Sequence, residues 1–303
     1  MAPFDNPGGD QAQRLRRLML QDDRGGAQPP AHAHVIAVAS GKGGVGKTLI
    51  SANLSIALAA RGHAVVLIDL DMGLANADIV LGVNPACTWS EALSGRRTVE
   101  DVIVQAPGGI AFVPGPSGVA RMANLSEFER YQLMSLMQRI ESRYDVVVLD
   151  CGAGLSQNVL ALVSSADTLL VVTTPEPTAL TDAYAVIKTV SRVGREGETP
   201  ASAPGAVGVI VNNAESRREA LETFERLAGT AARFLHLPVT DFGYVLHDDH
   251  VRSAVRRRRP VVLAYPRCPA SACLMACAVK LSAELGRPEG AQSLFYRVMS
   301  MFV

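Results

Sequence analysis

From about residue 34 onward, short and almost wholly apolar runs alternate with longer stretches in which apolar residues recur at helical spacing. Val35 to Ala39, Ala64 to Ile68, Val146 to Leu149, Thr168 to Val172 and Val207 to Val211 are rich in β-branched residues, which predicts strands. Neither face of these strands reads as polar, so both must be covered, as in a parallel sheet. Thr48 to Arg61, Glu127 to Arg143 and Thr178 to Val193 carry the helical pattern between them. The alternation predicts an α/β fold: a doubly wound, mostly parallel sheet with helices on both faces. No internal repeat of solenoid length interrupts it.

Breaker-rich stretches divide the rest. Asp10 to Leu20 is a basic, helix-capable segment, and Gly25, Gly26, Pro29 and Pro30 follow it as a linker. Gly194 to Gly205 reads as a surface loop inside the domain, and Gly286 to Gly290 as a spacer before a short tail. The expected organisation is a peptide and linker over 1–31, one domain over 32–288 and a tail over 289–303.

Composition narrows the class. Of 303 residues, 48% are hydrophobic and 19% charged, which excludes a disordered or fibrous chain. Twenty-nine Lys and Arg balance 29 Asp and Glu, so a polyanionic partner would have to meet a local patch rather than a global field. No apolar run is long enough to span a bilayer, and Met1-Ala2-Pro3-Phe4-Asp5 does not open a leader peptide, so a cytoplasmic location is expected. Five irregularly spaced cysteines suit reduced thiols. Cys268, Cys273 and Cys277 lack the C-x-x-C spacing of a metal or cluster site and are expected in the core.

The chemistry begins at Gly41-Lys42-Gly43-Gly44-Val45-Gly46-Lys47-Thr48, which satisfies G-x-x-x-x-G-K-[ST] between a predicted strand and a predicted helix. Successive backbone N–H groups of Gly43, Gly44, Val45 and Gly46 would face one anion, and the helix N-terminus adds partial positive charge. Lys47 is the expected β/γ-phosphate ligand and Thr48 the expected Mg²⁺ ligand. Asp69 ends the second predicted strand, Asp71 follows two residues later, and Asp150 ends the apolar run Val146 to Leu149. Carboxylates at strand ends suit a phosphoryl-transfer site, which asks for positioning and charge. A helix cap is the alternative for Asp71, and a strand cap for Asn212 after Val209-Ile210-Val211.

The string from Lys42 to Thr48 resembles the deviant Walker A signature of the MinD/ParA class of ATPases, and Asp69-Leu70-Asp71-Met72-Gly73-Leu74-Ala75-Asn76-Ala77-Asp78 resembles the MinD switch I region. The resemblance implies an ATP- and Mg²⁺-dependent homodimer in which Lys42 reaches the partner's nucleotide. It also implies Asp69 and Asp150 in the Mg²⁺ shell, Asp71 positioning the attacking water, and Asn212 reading the adenine edge. By composition alone Lys42 is merely a surface cation. Cys151-Gly152-Ala153-Gly154 matches switch II, with Gly152 where the class usually has proline, a departure expected to loosen that switch.

Asp10-Gln11-Ala12-Gln13-Arg14-Leu15-Arg16 is similar to the element preceding the ATPase domain in the FlhG (FleN) family of flagellar number and placement regulators. That likeness implies that Asp10, Gln11, Ala12, Leu15 and Arg16 dock onto an FlhF-type signal-recognition GTPase and stimulate its hydrolysis. It extends the partner set to flagellar switch proteins and a flagellar transcription regulator. In the tail, Leu294, Phe295, Val298, Met299 and Phe302 fall on one helical face. The class uses such a face to lie on the inner membrane in the ATP-bound state; packing on its own domain is the other use. The run Arg256 to Arg259 closes a short predicted helix begun near Asp248. It fits a solvated face or a contact for nucleic acid, acidic protein or lipid headgroups. A DNA-partitioning ATPase of the ParA type is the rival reading, although DNA is not the expected partner.

Overall fold

The computed structural model describes residues 33–71, 76–115, 132, 136–152, 157–196 and 204–285. Eight strands form one sheet: β1 (His34–Ala39), β2 (Val65–Asp69), β3 (Val104–Ala106), β4 (Ile110–Val113), β5 (Val146–Asp150), β6 (Thr168–Thr173), β7 (Ala206–Ala214) and β8 (Thr240–Leu246). Their order is β3-β4-β2-β5-β1-β6-β7-β8, and only the β3/β4 pair is antiparallel. The doubly wound, mostly parallel sheet expected from the sequence is therefore present. The 3-residue β3 and 4-residue β4 escape a periodicity reading because so few positions leave no pattern. Strand β8, TDFGYVL, is masked by its interrupted apolar sequence and by Gly243.

The helices are α1 (Lys47–Ala59), α2 (Ala77–Leu81), α3 (Trp89–Leu93), α4 (Val99–Val102), α5 (Gln157–Ser164), α6 (Pro177–Glu196), α7 (Arg217–Leu235), α8 (Asp249–Arg256), α9 (Val261–Ala264) and α10 (Pro269–Ala283). Gln132 and residues 136–141 are also helical, whereas Ser142 and Arg143 form a turn, so the stretch expected to run to Arg143 ends at Glu141. Helix α6 continues to Glu196, so Gly194 is helical rather than part of a loop. A lone glycine costs such a helix only about 1 kcal/mol, less than the packing of its amphipathic face returns.

Alternation along the buried strands feeds two cores. Val35, Ala37 and Ala39 face one layer with Trp89, Val159, Ile187 and Leu227, whereas Ile36 and Val38 face the other with Ile50, Leu54, Leu81 and Leu274. Each strand thus carries apolar side chains on both faces, which is why its sequence shows no polar alternation. All five cysteines are free; Cys151, Cys268 and Cys277 are buried, but Cys87 and Cys273 only half so, which corrects the expectation for Cys273. On α10 it points between the buried stripe and solvent. No described helix is long and apolar enough to cross a membrane.

Candidate functional site

The sheet places the site at the C-terminal ends of β1, β2 and β5, where the strand order reverses around β1, the crevice position of open α/β folds. The loop after β1 turns through Gly44 (φ 80°) and Gly46 (φ 90°) before α1 begins at Lys47. Left-handed geometry at these two positions is open to glycine and strained for other residues. The loop thereby delivers Lys47 and Thr48 to the first turn of α1 with that turn's N–H groups facing outward.

Register brings the carboxylates together. Asp69 pairs directly with Asp150 across β2 and β5. The Ser51 hydroxyl donates to Asp150 Oδ1 (2.9 Å), whereas Asp150 Oδ2 is buried with no hydrogen-bond partner among the described residues. Burial raises the Asp150 pKa, while Lys47 and hydrogen bonds from Thr48 and Ser51 act the other way. Asp69 accepts from the backbone N–H of Asp71 at Oδ1 (2.9 Å) and of Ala77 at Oδ2 (3.3 Å). Burial, then the neighbouring Asp150, push Asp69 up to about 7.

Two adjacent buried carboxylates, one with an orphaned oxygen, and a threonine hydroxyl beside them form a hard-oxygen donor set that fits Mg²⁺. Asp71 is half-buried beside this pair, and a Cβ at Gly152 would lie 3.1 Å from Asp71 Oδ1. The glycine that stands where the class carries proline therefore leaves room for the Asp71 carboxylate against the switch II backbone. Cys151, fully buried behind it, has its thiol pushed far above the ordinary range by burial and by Asp150, which leaves it protonated and inert.

Lys42 lies half-exposed in the loop, and its Nζ donates to Glu176 Oε2 (2.6 Å) and Thr178 Oγ1 (3.1 Å) at the start of α6. Sequence reasoning missed these two partners, because 134 residues separate the lysine from Glu176 and only the β1/β6 pairing brings them together. Contrary to expectation, Asn212 does not end its strand: β7 runs to Ala214, with a register shift after Val211 and Asn213 at φ 58°. Its Nδ2 donates to the Val45 carbonyl (2.8 Å) and lies against Gly46, so in this structure Asn212 braces the phosphate loop.

Asp248, His250 and Cys268 bring a ligand atom each within 4.8 Å of one another. Their bonds are those of helix caps: Asp248 accepts from the His250 and Ala270 N–H groups, and Cys268 Sγ from Ser271 N–H. Burial opposes its ionisation, but these N–H groups hold Asp248 at about 2, so it ties the N-termini of α8 and α10 together. The short helix expected from near Asp248 is thus α8, with Asp248 as its cap. Met72 to Ala75, Ala153, Gly154, the peptide at Asp10 to Arg16 expected to bind a partner and the tail at Leu294 to Phe302 expected to bind the membrane lie outside the described residues.

Residues 33–200 match the family model described as an AAA domain. The chain is 40% identical to the antiactivator FleN of Pseudomonas aeruginosa, over 82% of this chain and 85% of that protein. It is 32% identical to the flagellum site-determining protein YlxH of Helicobacter pylori, over 82% of each. Its fold matches the septum site-determining protein MinD complexed with Mg-ADP from Pyrococcus horikoshii, with a TM-score of 0.67 at 24% identity, covering 84% of this chain and 100% of that one. A phosphate loop opening α1, paired strand-end carboxylates and these likenesses lead to one assignment: the chain belongs to the FleN/FlhG family of MinD-like P-loop ATPases.

Proposed function

We propose that this ATPase acts as a nucleotide-timed regulator of flagellar number and placement: it dimerises around ATP, docks on the inner membrane through its tail, and stimulates an FlhF-type GTPase through its N-terminal peptide. The observation that carries the catalytic part is the Asp69–Asp150 pairing beside the phosphate loop, with Asp71 held against Gly152. The flagellar part is supported by the relatives, an antiactivator and a flagellum site-determining protein.

Gly43 to Gly46 and Lys47 would hold the phosphates, and Thr48, Asp69 and Asp150 would hold Mg²⁺, which when bound offsets phosphate charge. Asp71 would orient the attacking water by accepting its hydrogen bond, which suffices for a loose transition state. Lys42 would leave Glu176 to reach a partner's nucleotide, so that two chains complete each site. Asn212 would approach the adenine from its place against the loop. Leu294, Phe295, Val298, Met299 and Phe302 would bury in the membrane surface, with Arg297 the only charge among residues 293–300. Flagellar switch proteins and a flagellar transcription regulator complete the partner set.

The test uses a peptide of residues 1–24. It should accelerate GTP hydrolysis by an FlhF-type GTPase without the ATPase domain, because Gln11 can orient that enzyme's attacking water in trans. Gln11→Ala in the full-length chain should abolish the stimulation and leave its own ATP turnover intact. Normal stimulation by that variant would refute the assignment.

A further inference from the structure

Helix α8 ends in four consecutive arginines, all exposed, and among the described residues none of Arg256, Arg257, Arg258 and Arg259 forms an ion pair. The end is a Schellman turn: Arg259 N–H donates to the Ala254 carbonyl (3.1 Å) and Arg258 N–H to that of Val255 (2.9 Å). Arg258 takes the left-handed position at φ 49°, which glycine ordinarily fills. The turn is held from outside. A Cβ at Gly82 (φ 71°), just past the end of α2, would lie 2.2 Å from the Arg258 carbonyl oxygen, so the two backbones touch. The Arg258 guanidinium also donates to Asn84 Oδ1 (3.1 Å).

Helix α2 connects this turn to the nucleotide site. Its first residue, Ala77, donates its N–H to Asp69, and its last turn leads into Gly82. Asp69 thus holds one end of α2, and the arginine turn rests against the other.

Two exposed apolar side chains flank the junction: Ile79, whose carbonyl accepts from Gly82 N–H, and Val255, whose carbonyl accepts from Arg258 N–H. From this arrangement we infer that the 256–259 turn, with Ile79 and Val255, is a docking surface for an acidic, amphipathic protein segment, and that its presentation follows the nucleotide state. Guanidinium forks match carboxylates in pairs, and the flanking apolar side chains have use for a protein segment but none for a phosphate backbone. The chain carries no net charge to concentrate a polyanion along a longer track. The nucleotide dependence rests on the assignment of Asp69 to the Mg²⁺ shell; the docking surface does not.

The test uses the full-length protein with ADP or a non-hydrolysable ATP analogue, and three fluorescent probes: a helical peptide of glutamates and leucines, a short DNA duplex, and phosphatidylglycerol vesicles. The peptide should bind in preference to the duplex and the vesicles, and more tightly with one nucleotide than with the other. Arg256→Glu/Arg257→Glu/Arg259→Glu should weaken the peptide about tenfold or more, and Ile79→Ser/Val255→Ser several-fold. Asn84→Ala, which releases the Arg258 guanidinium, should shrink the difference between nucleotides. Preference for the duplex or for vesicles, or full peptide binding by the charge-reversed variant, would overturn the docking surface. Equal peptide affinity with both nucleotides would overturn the coupling. ATP turnover of each variant, measured alongside, tests the catalytic site separately: lost peptide binding with turnover retained isolates the turn.

Discussion

Asp69 provides a direct test of how the site stores electrostatic strain. Its carboxyl, 1% exposed, is raised from 3.8 to about 7, with burial as the largest cause and Asp150 the next. Between those values the native state holds a proton that the unfolded chain has lost, so the nucleotide-free protein loses stability as pH rises from about 4 to 7. At 1.36 kcal/mol per tenfold change in acidity, the ionised carboxylate costs up to about 4 kcal/mol above pH 8.

Asp69→Asn keeps the shape and removes that cost. It also removes one of two acceptors, since Asp71 and Ala77 both donate to this side chain, which costs about 1 kcal/mol. The variant should therefore be more stable by about 3 kcal/mol at pH 8, a rise of roughly 6–12 °C in Tm for a domain of this size. Near pH 4 the two proteins should lie within about 1 kcal/mol of each other, because Asp69 is then protonated. Thermal scans in EDTA without nucleotide, from pH 4 to 9, measure the difference. Mg²⁺ with ADP should stabilise the parent protein and do so much less for the variant. A difference independent of pH, or a parent that stays the more stable above pH 7, would refute the reasoning.

Asp71→Ala should retain nucleotide, lose hydrolysis and accumulate as the ATP dimer; normal turnover would remove it from the catalytic role. Gly152→Ala should lower kcat several-fold at unchanged ATP affinity, because the new methyl lies 3.1 Å from Asp71 Oδ1 and displaces it; equal kcat would show that the carboxylate does not work from that position. Lys42→Ala should bind ATP and fail to dimerise. Glu176→Gln should favour the dimer by up to about fivefold per exposed pair released, read by light scattering, and a weakened dimer would mean that Glu176 acts after assembly. Removing residues 294–303 should abolish ATP-dependent sedimentation with liposomes if the proposed apolar face of the tail carries membrane binding; unchanged sedimentation would refute that role.

Sequence alone revealed the layered α/β class, because strands covered on both faces are apolar along most of their length and alternate here with helix-forming stretches. It also marked the phosphate loop, where glycine spacing is the geometry, and the carboxylates Asp69, Asp71 and Asp150, which follow apolar runs. The tertiary structure decided what those groups meet. That Asp69 lies beside Asp150, that Ser51 holds one oxygen of Asp150 and leaves the other bare, and that Lys42 rests on Glu176 all follow from strand order and register. No local pattern encodes register between strands separated by dozens of residues. Asn212 shows the same limit: its residue type announced a strand end, but the bulge after Val211 carried the strand onward and turned its amide to the loop. The arginine run is the clearest case. As sequence it is a string of charge; only the fold brings Arg258 against Gly82, more than 170 residues away, at the end of the helix whose first residue donates to Asp69.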